Sequence, residues 1–392
     1  MRDESGLTAA IARIPFEDHH VHQPRKGRHV LTAAEFRRPF TEAKLPGVWE
    51  RQIQTTIAYR WLIRELASLL GVPPDEAAVL AARNGMAQAD YHRLLADSAN
   101  LGACYADDLY DLGNCFDVAE WSGLLGRPVH RLLRIETYVE LGYAACPTLD
   151  DALARLTSEI AAAPERGIVG LKSIAGYRSG LAIAAPSAEQ RRQARVAYSR
   201  LRGQALGGGS GRIAVKELVD TLVWTAVEAA VPLRLPLQFH VALGDDDIVL
   251  THNDPSLMRE LLAHLPFHDV PIVLLHCYPY HRHAAYLASI YPHFYVDLGL
   301  TIPLVGPAAD RILAETLELT PTNQLLASTD GHAEPEFQWF GALVWRWALA
   351  RVLGQYRDLG VMDKADAIGV ANDVLRENAL RLYPLAAPTQ GR

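Results

Sequence analysis

Short apolar runs alternate with longer amphipathic stretches from about residue 100 to the C-terminal part of the chain, and this alternation restricts the fold more than any other feature of the sequence. A short apolar run bounded by turn residues predicts a buried strand, whereas apolar residues spaced three and four apart predict a helix. Strands that alternate with helices form parallel sheets, because each helix returns the chain to begin the next strand in the same direction. The pattern therefore predicts an α/β fold.

Eight apolar runs are predicted strands. They span residues 14–22, 103–109, 131–137, 168–175, 235–243, 271–278, 294–300 and 324–330. Several segments between them have the apolar spacing of helices, for example DDALARLTSEIAAA and AADRILAETLEL. Eight parallel strands with intervening helices predict a (β/α)8 TIM barrel that occupies residues 1–392 as a single domain.

Two segments interrupt the regular spacing of strands and helices. A helical, polar stretch at 33–100 follows the first strand, and a second stretch at 176–234 follows the fourth. Both come after the C-terminal end of a strand, which is the face where the loops of a barrel build the active site. We therefore expect helical insertions that either cap the active site or pack against another copy in a homo-oligomer.

The composition disfavours several classes of partner. Acidic residues outnumber basic ones, 45 to 38, and no run of lysine and arginine is available to bind nucleic acid or an anionic membrane. The N-terminal MRDESGLTAA lacks the features of a signal peptide, and no apolar run approaches the ~20 residues of a membrane span. The four cysteines form no CxxC pair and are too sparse for a disulfide framework. We expect a cytoplasmic protein that acts on a small molecule.

The segment Asp18-His19-His20-Val21-His22 lies at the end of the first predicted strand. Residues two apart in a strand point to the same face, so His20 and His22 should lie side by side, while His19 points away. Two neutral imidazoles beside the carboxylate of Asp18 suit zinc or a similar ion. The motif therefore predicts part of a metal site.

Later strands end in further residues of the types that bind metals. These are Lys172 in GLKS, His240 after LPLQF, His276 after PIVLL and Asp330 after QLLAST. The C-terminal ends of the strands are where a barrel gathers its catalytic groups. A buried Asp or His is also costly unless it is paired or bound to a metal, which argues against chance placement on apolar strands. We expect these residues to face the same site as His20 and His22.

The combined pattern resembles the amidohydrolase superfamily, with a DxHxH first strand, a histidine at the ends of the fifth and sixth strands and an aspartate on the eighth. The resemblance spans about residues 14–385. The segments LRIET, GLKSIAGYRSGL, LASTDG and ENALRLY extend it to the amidohydrolase-2 branch. Within that branch they resemble the nodulin-like hydrolases related to the domain fused to glutamine synthetase in fungi and plants.

This resemblance implies the ligands of a principal metal ion, which are His20, His22, His240 and Asp330. It implies that His276 is either a catalytic histidine or a ligand of a second ion. We expect one or two divalent ions, with Zn²⁺ first and Mn²⁺ or Fe²⁺ as alternatives.

Lys172 has three alternative roles. In binuclear members of the superfamily a lysine of the fourth strand is carbamylated and bridges two metals, and Lys172 occupies the matching place. As an ammonium it could instead bind a carboxylate of the substrate, because a compact positive charge attracts an anion. It could also form a structural ion pair.

Other polar residues are candidates for binding the substrate. Tyr177 and Arg178 follow the fourth strand, and a guanidinium can bind a carboxylate through two parallel hydrogen bonds. Glu136 lies at the end of the third predicted strand and could face the barrel mouth. Alternatively, Tyr177 and Arg178 are surface residues of a loop, and Glu136 only supports its neighbours.

The expected reaction is hydrolysis by water that a metal has activated. Asp330 can take a proton from the nucleophile and pass it to a leaving amine, while His276 or the metal stabilises the oxyanion. That the bond is an amide comes from the resemblance alone. Non-oxidative decarboxylation and uronate isomerisation occur among relatives with this ligand set and remain alternatives, as does a non-catalytic role in metabolite binding or as a scaffold.

Overall fold

Eight parallel strands in sequential order form the centre of the protein. The computed structural model describes residues 4–27, 29–111, 113–264 and 269–384. The strands are β1 (Phe16–Val21), β2 (Leu101–Asp107), β3 (Val129–Arg134), β4 (Ile168–Ser173), β5 (Leu237–Val241), β6 (Ile272–His276), β7 (Phe294–Asp297) and β8 (Leu325–Leu326). They form one sheet in the order β1-β2-β3-β4-β5-β6-β7-β8, and the registers of β1–β2 and of β3 through β7 are parallel. With helices between the strands, this order is that of a (β/α)8 TIM barrel and confirms the predicted fold class.

The helices of the described residues follow in chain order. They are α1 (Glu4–Ala12), α2 (Ala33–Arg37), α3 (Pro46–Arg51), α4 (Ile57–Leu70), α5 (Glu76–Gly85), α6 (Gln88–Ser98), α7 (Val118–Leu125), α8 (Ile135–Leu141), α9 (Leu149–Ala161), α10 (Ala188–Leu206), α11 (Lys216–Ala230), α12 (Arg259–Ala263), α13 (His281–Ile290), α14 (Thr301–Val305), α15 (Ala309–Leu317), α16 (Pro335–Asp358), α17 (Lys364–Asn372) and α18 (Asn378–Leu382). A π-helical turn at Asp373–Glu377 joins the last two. Among the residues that the structure describes, no helix combines the length and apolar character needed to cross a membrane.

Every strand ends before the last residue of its apolar run, and the differences at β3 and β8 bear on the candidate site. The third becomes helix α8 at Ile135, so Glu136 lies in the first turn of a helix rather than at the end of a strand. The eighth is shortened to Leu325–Leu326, because the backbone N–H groups that follow donate hydrogen bonds to carboxylates instead of to a neighbouring strand. Ser328 donates to Asp297 at 3.1 Å and Thr329 donates to Asp18 at 2.8 Å.

Contacts between residues divide the chain into two compact units. The first contains the chain up to Val129, Gly244–Asp246 and Asp297–Ala379. Its longest helix, α16, packs against α1, α6, α14, α15 and α17, and Phe337, Phe340 and Trp345 on this helix are fully buried. The predicted insertion at 33–100 corresponds to helices α2–α6 of this unit. That these helices cap an active site stays a prediction.

The second unit contains His130–Leu243, Asp247–Val296 and the chain from Leu380 onward. Its strands β4, β5 and β6 are completely buried, as expected for a parallel sheet. Helix α11 packs against α8, α9 and α10. The predicted insertion at 176–234 therefore contributes two long helices to this unit, and its role as a cap also stays a prediction.

Candidate metal centre

His20 and His22 lie on one face of the buried strand β1, as the two-residue period predicts. Their ring centroids are 5.2 Å apart. The Nε2 atoms of both rings approach the same carboxylate oxygen, Oδ1 of Asp330, at 3.1 Å for His20 and 3.3 Å for His22. All three residues belong to the first unit. The structure thus brings together three of the four predicted ligands of the principal metal.

The two distances to Asp330 suit ligands that share a divalent metal ion. An ion with tetrahedral bonds of about 2.0–2.2 Å holds its ligand atoms roughly 3.3–3.6 Å apart, which is close to the distances from Asp330 to the two histidines. Imidazole nitrogen and carboxylate oxygen are ligands for zinc, and manganese and iron accept the same donors. The carbonyl oxygen of Asp107 accepts a hydrogen bond from His22 Nδ1 at 3.4 Å. This contact favours the tautomer of His22 whose Nε2 has a free electron pair for a metal.

The loop that carries Asp330 is tied to strand β1 through the backbone. The N–H of Asp330 donates to the carbonyl of His20 at 3.1 Å, and the N–H of His22 donates to the carbonyl of Gly331 at 2.7 Å. Asp330 has a φ of +55°, a left-handed conformation that is unusual for an aspartate. These contacts hold its carboxylate in front of the two histidines.

Asp18 lies two residues before His20 on β1, one side-chain layer below it. The sequence predicts a carboxylate beside the histidine rings, but the carboxylate of Asp18 contacts other groups. Its carboxylate accepts hydrogen bonds from the N–H and hydroxyl of Thr329 at 2.8 and 2.6 Å and from Gln338 Nε2 at 2.9 Å. Burial raises the pKa of Asp18 to about 8, although these hydrogen bonds act in the opposite direction. Asp18 therefore links strand β1 to the residue that precedes Asp330.

His19 points to the opposite side of β1, as predicted. Its Nε2 lies 3.2 Å from Oδ1 of Asp297 at the end of β7. Asp297 also accepts hydrogen bonds from the hydroxyl of Ser328 and the N–H of Gly299. The sequence analysis did not single out Asp297 or Gln338, because each finds its partner on a distant part of the chain.

In the second unit, His240 and His276 lie beside each other. Their ring centroids are 4.7 Å apart, and the ring of Tyr177 is 4.2 Å from that of His240. Gly176 makes this approach possible, since a Cβ at this position would lie 2.8 Å from the carbonyl oxygen of His240. The structure thus places a predicted metal ligand, a predicted catalytic residue and a predicted substrate-binding residue in one cluster.

The backbone of His276 departs from a regular strand. Its register partner on β5 is Val241, whereas His240 is paired with Leu275. Strict alternation would place paired side chains on the same face and would separate His276 from His240. A φ of +70° at His276 breaks the alternation and brings the two rings together.

Lys172 is buried on β4, with 2% of its side chain exposed. Its register partners are Arg134 on β3 and Gln238 on β5. Gln238 precedes His240 by two residues, so the backbone of Lys172 lies one side-chain layer below that of His240. The carbamate, the substrate-binding ammonium and the structural ion pair all stay predictions.

Arg178 and Glu136 both form contacts within the second unit. Nη1 of Arg178 lies 3.1 Å from Oε1 of Glu140 and donates to the carbonyl of Ile213. The carboxylate of Glu136 is fully buried and accepts hydrogen bonds from the hydroxyl of Ser173 at 2.6 Å and the N–H of Ile174 at 3.1 Å. These contacts support the segment after β4. That Glu136 also faces the substrate stays a prediction.

A cavity of about 130 Å³ adjoins the candidate metal ligands of the first unit. Its wall includes Tyr110, whose ring centroid is 4.4 Å from that of His22, and His332, which follows Asp330 by two residues. Arg25, Glu42 and Lys44 line it as well. Burial raises the pKa of Glu42 to about 8, with a further contribution from the negative charges of Asp330 and Asp245. The sequence analysis missed this cavity, since no local pattern marks the loop after β1.

Comparison with known protein families gives a match to the model described as amidohydrolase (Amidohydro_2), which covers residues 137–385. The chain is also similar to Protein fluG of Emericella nidulans, with 30% identity over 413 aligned residues. The match covers 97% of this chain and 47% of fluG. The chain thus spans about half the length of this relative.

Among solved structures, the chain is similar to a candidate metal-dependent hydrolase from Lactobacillus casei. The identity is 26%, the TM-score is 0.85, and 96% of each chain is covered. A uronate isomerase from Bacillus halodurans has the same fold, with a TM-score of 0.67 and 13% identity over 97% of this chain and 95% of the other. At that identity the second similarity concerns the fold alone.

Proposed function

Because this chain belongs to the amidohydrolase family whose model it matches, we propose that it is a metal-dependent hydrolase that cleaves an amide-type C–N bond of a small, carboxylate-bearing substrate. The observation that carries the proposal is the convergence of His20 Nε2 and His22 Nε2 on one oxygen of Asp330. The similarity to the Lactobacillus casei protein supports a metal-dependent activity. The predicted insertions, the metal ligands and the cytoplasmic location are part of the same proposal.

The proposed ligands are the three side chains of the first unit, His20, His22 and Asp330, together with His240 of the second. When bound, a divalent ion of this kind supplies water of lowered pKa and polarises a carbonyl. Zn²⁺ is the first candidate because nitrogen and oxygen donors in this number suit it, and Mn²⁺ or Fe²⁺ are the alternatives.

The chain's own residues then handle the protons and the developing charge. The carboxylate of Asp330 can accept the proton of the attacking water and deliver it to the leaving amine. His276 can donate a hydrogen bond to the oxyanion, which stabilises charge as it forms. We propose that three side chains orient the substrate. They are Tyr177, whose ring lies beside that of His240, Lys172 on β4 and Arg178 on the loop that follows β4. Glu136 is proposed to hold that segment in place.

Metal content tests the first part of the proposal. Protein purified from metal-replete cells should contain one or two zinc-like ions per chain by mass spectrometry of the elements. His20→Asn should lose an ion, whereas His283→Asn, a matched change on the exposed end of α13, should keep the wild-type content. A metal-free wild-type protein, or a His20→Asn variant with full metal content, would contradict the metal centre.

The stoichiometry also distinguishes the roles of Lys172. Two ions in the wild type and one in Lys172→Met would support a carbamate that bridges two metals. One ion in both proteins, together with a raised KM of the variant, would support an ammonium that binds the substrate. If Lys172→Met has unchanged metal content and KM but lower stability, the result would support a structural ion pair.

A panel of compounds tests the reaction. The panel contains N-acyl amino acids and side-chain amides of amino acids. We expect one of these two classes to release free amine, and we expect Asp330→Asn to abolish the release. Release of CO₂ from aromatic carboxylates, or isomerisation of uronates, would replace the amide hydrolase with one of the alternative reactions. If Asp330→Asn complements a deletion strain fully, the role of the protein is not catalytic.

A further inference from the structure

The wall of the cavity beside the candidate metal ligands contains two ionisable side chains without an ion pair at contact distance among the described residues. In residues 4–27, 29–111, 113–264 and 269–384, neither the carboxylate of Glu42 nor the guanidinium of Arg25 forms an ion pair or a side-chain hydrogen bond. Both side chains are half-buried in the cavity wall. Without a ligand the Glu42 carboxyl is mostly protonated at neutral pH, since its pKa is raised to about 8, and a bound cation would favour its carboxylate form. A guanidinium without an ion pair likewise gains from an anion, so each side chain is a candidate to bind an oppositely charged group.

Other charged groups in the wall already have partners. The ammonium of Lys44 lies 3.2 Å from Asp245 and 2.9 Å from Asp246. The carboxylate of Glu334 lies 2.7 Å from Nη2 of Arg83, and Arg38 stacks over the ring of Trp49 with its charge 5.4 Å from the centroid. Arg25 acts electrostatically on Glu334, but neither Arg25 nor Glu42 has an ion pair at contact distance in the described part of the chain, which leaves both able to contact a ligand.

The surroundings of Glu42 favour a cationic group. The negative charge of Asp245 acts on Glu42, as does that of Asp330 when no metal ion neutralises it, and the charge of Lys44 acts in the opposite direction. A positive group of the substrate would reduce the repulsion among these carboxylates, whereas an anion would increase it. An ammonium bound at this position would lie close to Asp330, the proposed proton-transfer residue.

Arg25 lies on a different stretch of the wall. Its backbone N–H donates to the carbonyl of Ala333 at 3.0 Å, and it bridges to Cys115 in an antiparallel pairing. These contacts fix the backbone of Arg25 while its side chain remains available. A guanidinium presents two parallel N–H groups that match a carboxylate.

We propose that this cavity recognises a zwitterionic, amino-acid-like part of the substrate, with Glu42 binding an ammonium group and Arg25 binding a carboxylate. The inference rests on the proposed function, since it assigns the substrate class of that hydrolase. The cavity volume of about 130 Å³ suits a small polar group rather than a macromolecule. An amide on the side chain of an amino acid would then lie toward the metal residues.

Binding of product-like compounds tests the proposal without requiring turnover. Hydrolysis of a side-chain amide leaves a carboxylate, so L-aspartate and L-glutamate resemble products. Succinate and glutarate lack only the ammonium, and β-alanine and 4-aminobutyrate lack only the α-carboxylate. With metal-loaded protein in a calorimeter, we expect at least one of the two amino acids to bind at least about 10-fold more tightly than either of its truncated analogues, because charge-assisted hydrogen bonds are lost with each group.

Variants assign each contact. Glu42→Gln should raise the Kd of that amino acid at least about 10-fold and change the Kd of the dicarboxylate by less than about 2-fold, because the dicarboxylate has no ammonium. Arg25→Gln should raise the Kd of the amino acid and leave the Kd of the amine analogue unchanged. Glu50→Gln and Arg13→Gln are matched controls on exposed side chains outside the cavity, and both should bind as the wild type does.

Two results would overturn the inference. One is equal affinity for both amino acids and their truncated analogues, and the other is wild-type affinity in both Glu42→Gln and Arg25→Gln. Loss of metal in Glu42→Gln would also contradict it, since Glu42 would then be a metal ligand. Failure of the proposed hydrolase is a separate outcome, in which the amino-acid preference persists but no amide is cleaved.

Discussion

Asp330 combines a strained backbone conformation with a proposed chemical function. Its left-handed conformation costs roughly 1–3 kcal/mol and persists only where the surroundings enforce it. Here its N–H donates to His20, and its carbonyl accepts a hydrogen bond from His332 Nδ1 at 2.9 Å. The strained backbone directs the carboxylate at the two histidines. His276 shows the same combination in the second unit, with a φ of +70°.

His92 on helix α6 should make stability depend on pH. Burial lowers its pKa from 6.5 to about 3, with the positive charge of Arg83 acting in the same direction. Below pH 6.5 the unfolded chain binds a proton that the folded protein does not, so stability falls as the pH decreases toward 3. At pH 5 the loss relative to pH 8 is about 2 kcal/mol.

His92→Leu should remove this part of the pH dependence. For each protein, the free energy of unfolding by urea is measured at pH 8 and at pH 5. We expect the difference between the two values to be about 2 kcal/mol smaller in the variant than in the wild type. Comparing the two proteins cancels other titrating groups, including Asp18 and Glu42, whose raised pKa values act with the opposite sign. His252→Gln, at an exposed histidine, is the control. An unchanged pH dependence in His92→Leu would refute the assignment.

At the scale of secondary-structure elements, buried polar groups join segments that are far apart in the chain. Arg83 on α5 is 1% exposed and lies 2.6 Å from Glu336 and 2.7 Å from Glu334. It also donates to the carbonyl of His29. This ion cluster links the predicted insertion to α16 and to the loop after β8. It thereby supports one wall of the cavity through Glu334.

Breaking the Arg83 cluster should be costly. Arg83→Met leaves two buried carboxylates without their cation, and we expect a loss of about 3–5 kcal/mol in the free energy of unfolding. The triple variant Arg83→Met, Glu334→Gln, Glu336→Gln should recover much of that loss, because no unpaired charge remains. Arg195→Met removes an exposed ion pair with Asp150 and should cost about 1 kcal/mol or less. A loss in Arg83→Met no larger than in Arg195→Met would contradict the structural role.

Asp18 links β1 to the segment that carries Asp330, and so it should affect the metal site without touching a ligand ring. Groups that orient metal ligands typically change affinity by about 10- to 100-fold when they are removed. We therefore expect Asp18→Ala to raise the metal Kd by that factor in competition with a chelator. Glu17→Gln, at the adjacent position on the opposite face, should leave it unchanged. Wild-type metal affinity in a folded Asp18→Ala protein would exclude the positioning role.

For the molecule as a whole, metal binding should stabilise the folded state. A ligand present at 100 times its Kd adds about 2.7 kcal/mol to the stability of the state that binds it. Removal of the metal by a chelator should therefore lower the Tm, and Asp330→Asn should abolish the metal-dependent part of the shift.

Hydrogen exchange can show which ligands take part. Addition of Zn²⁺ to chelator-treated protein should slow exchange in peptides that contain β1 of the first unit and β5 and β6 of the second. Protection confined to β1 and the loop of Asp330 would exclude His240 and His276 from the metal site. The Asp330→Asn protein, carried through the same experiment, should show no protection in either unit.

Local sequence patterns account for the order of the eight strands and for the pairing of His20 with His22, because side-chain alternation along a strand is a property of neighbouring residues. They also select Asp330, His240 and His276 by their place after apolar runs. The carboxylate contact of Asp330, the turn that brings His276 to His240 and the partners of Asp18 depend on the tertiary structure. Each rests on a left-handed backbone conformation or a hydrogen bond to a residue hundreds of positions away. The cavity with Glu42 and Arg25 depends on it as well, since loops from several parts of the chain enclose it.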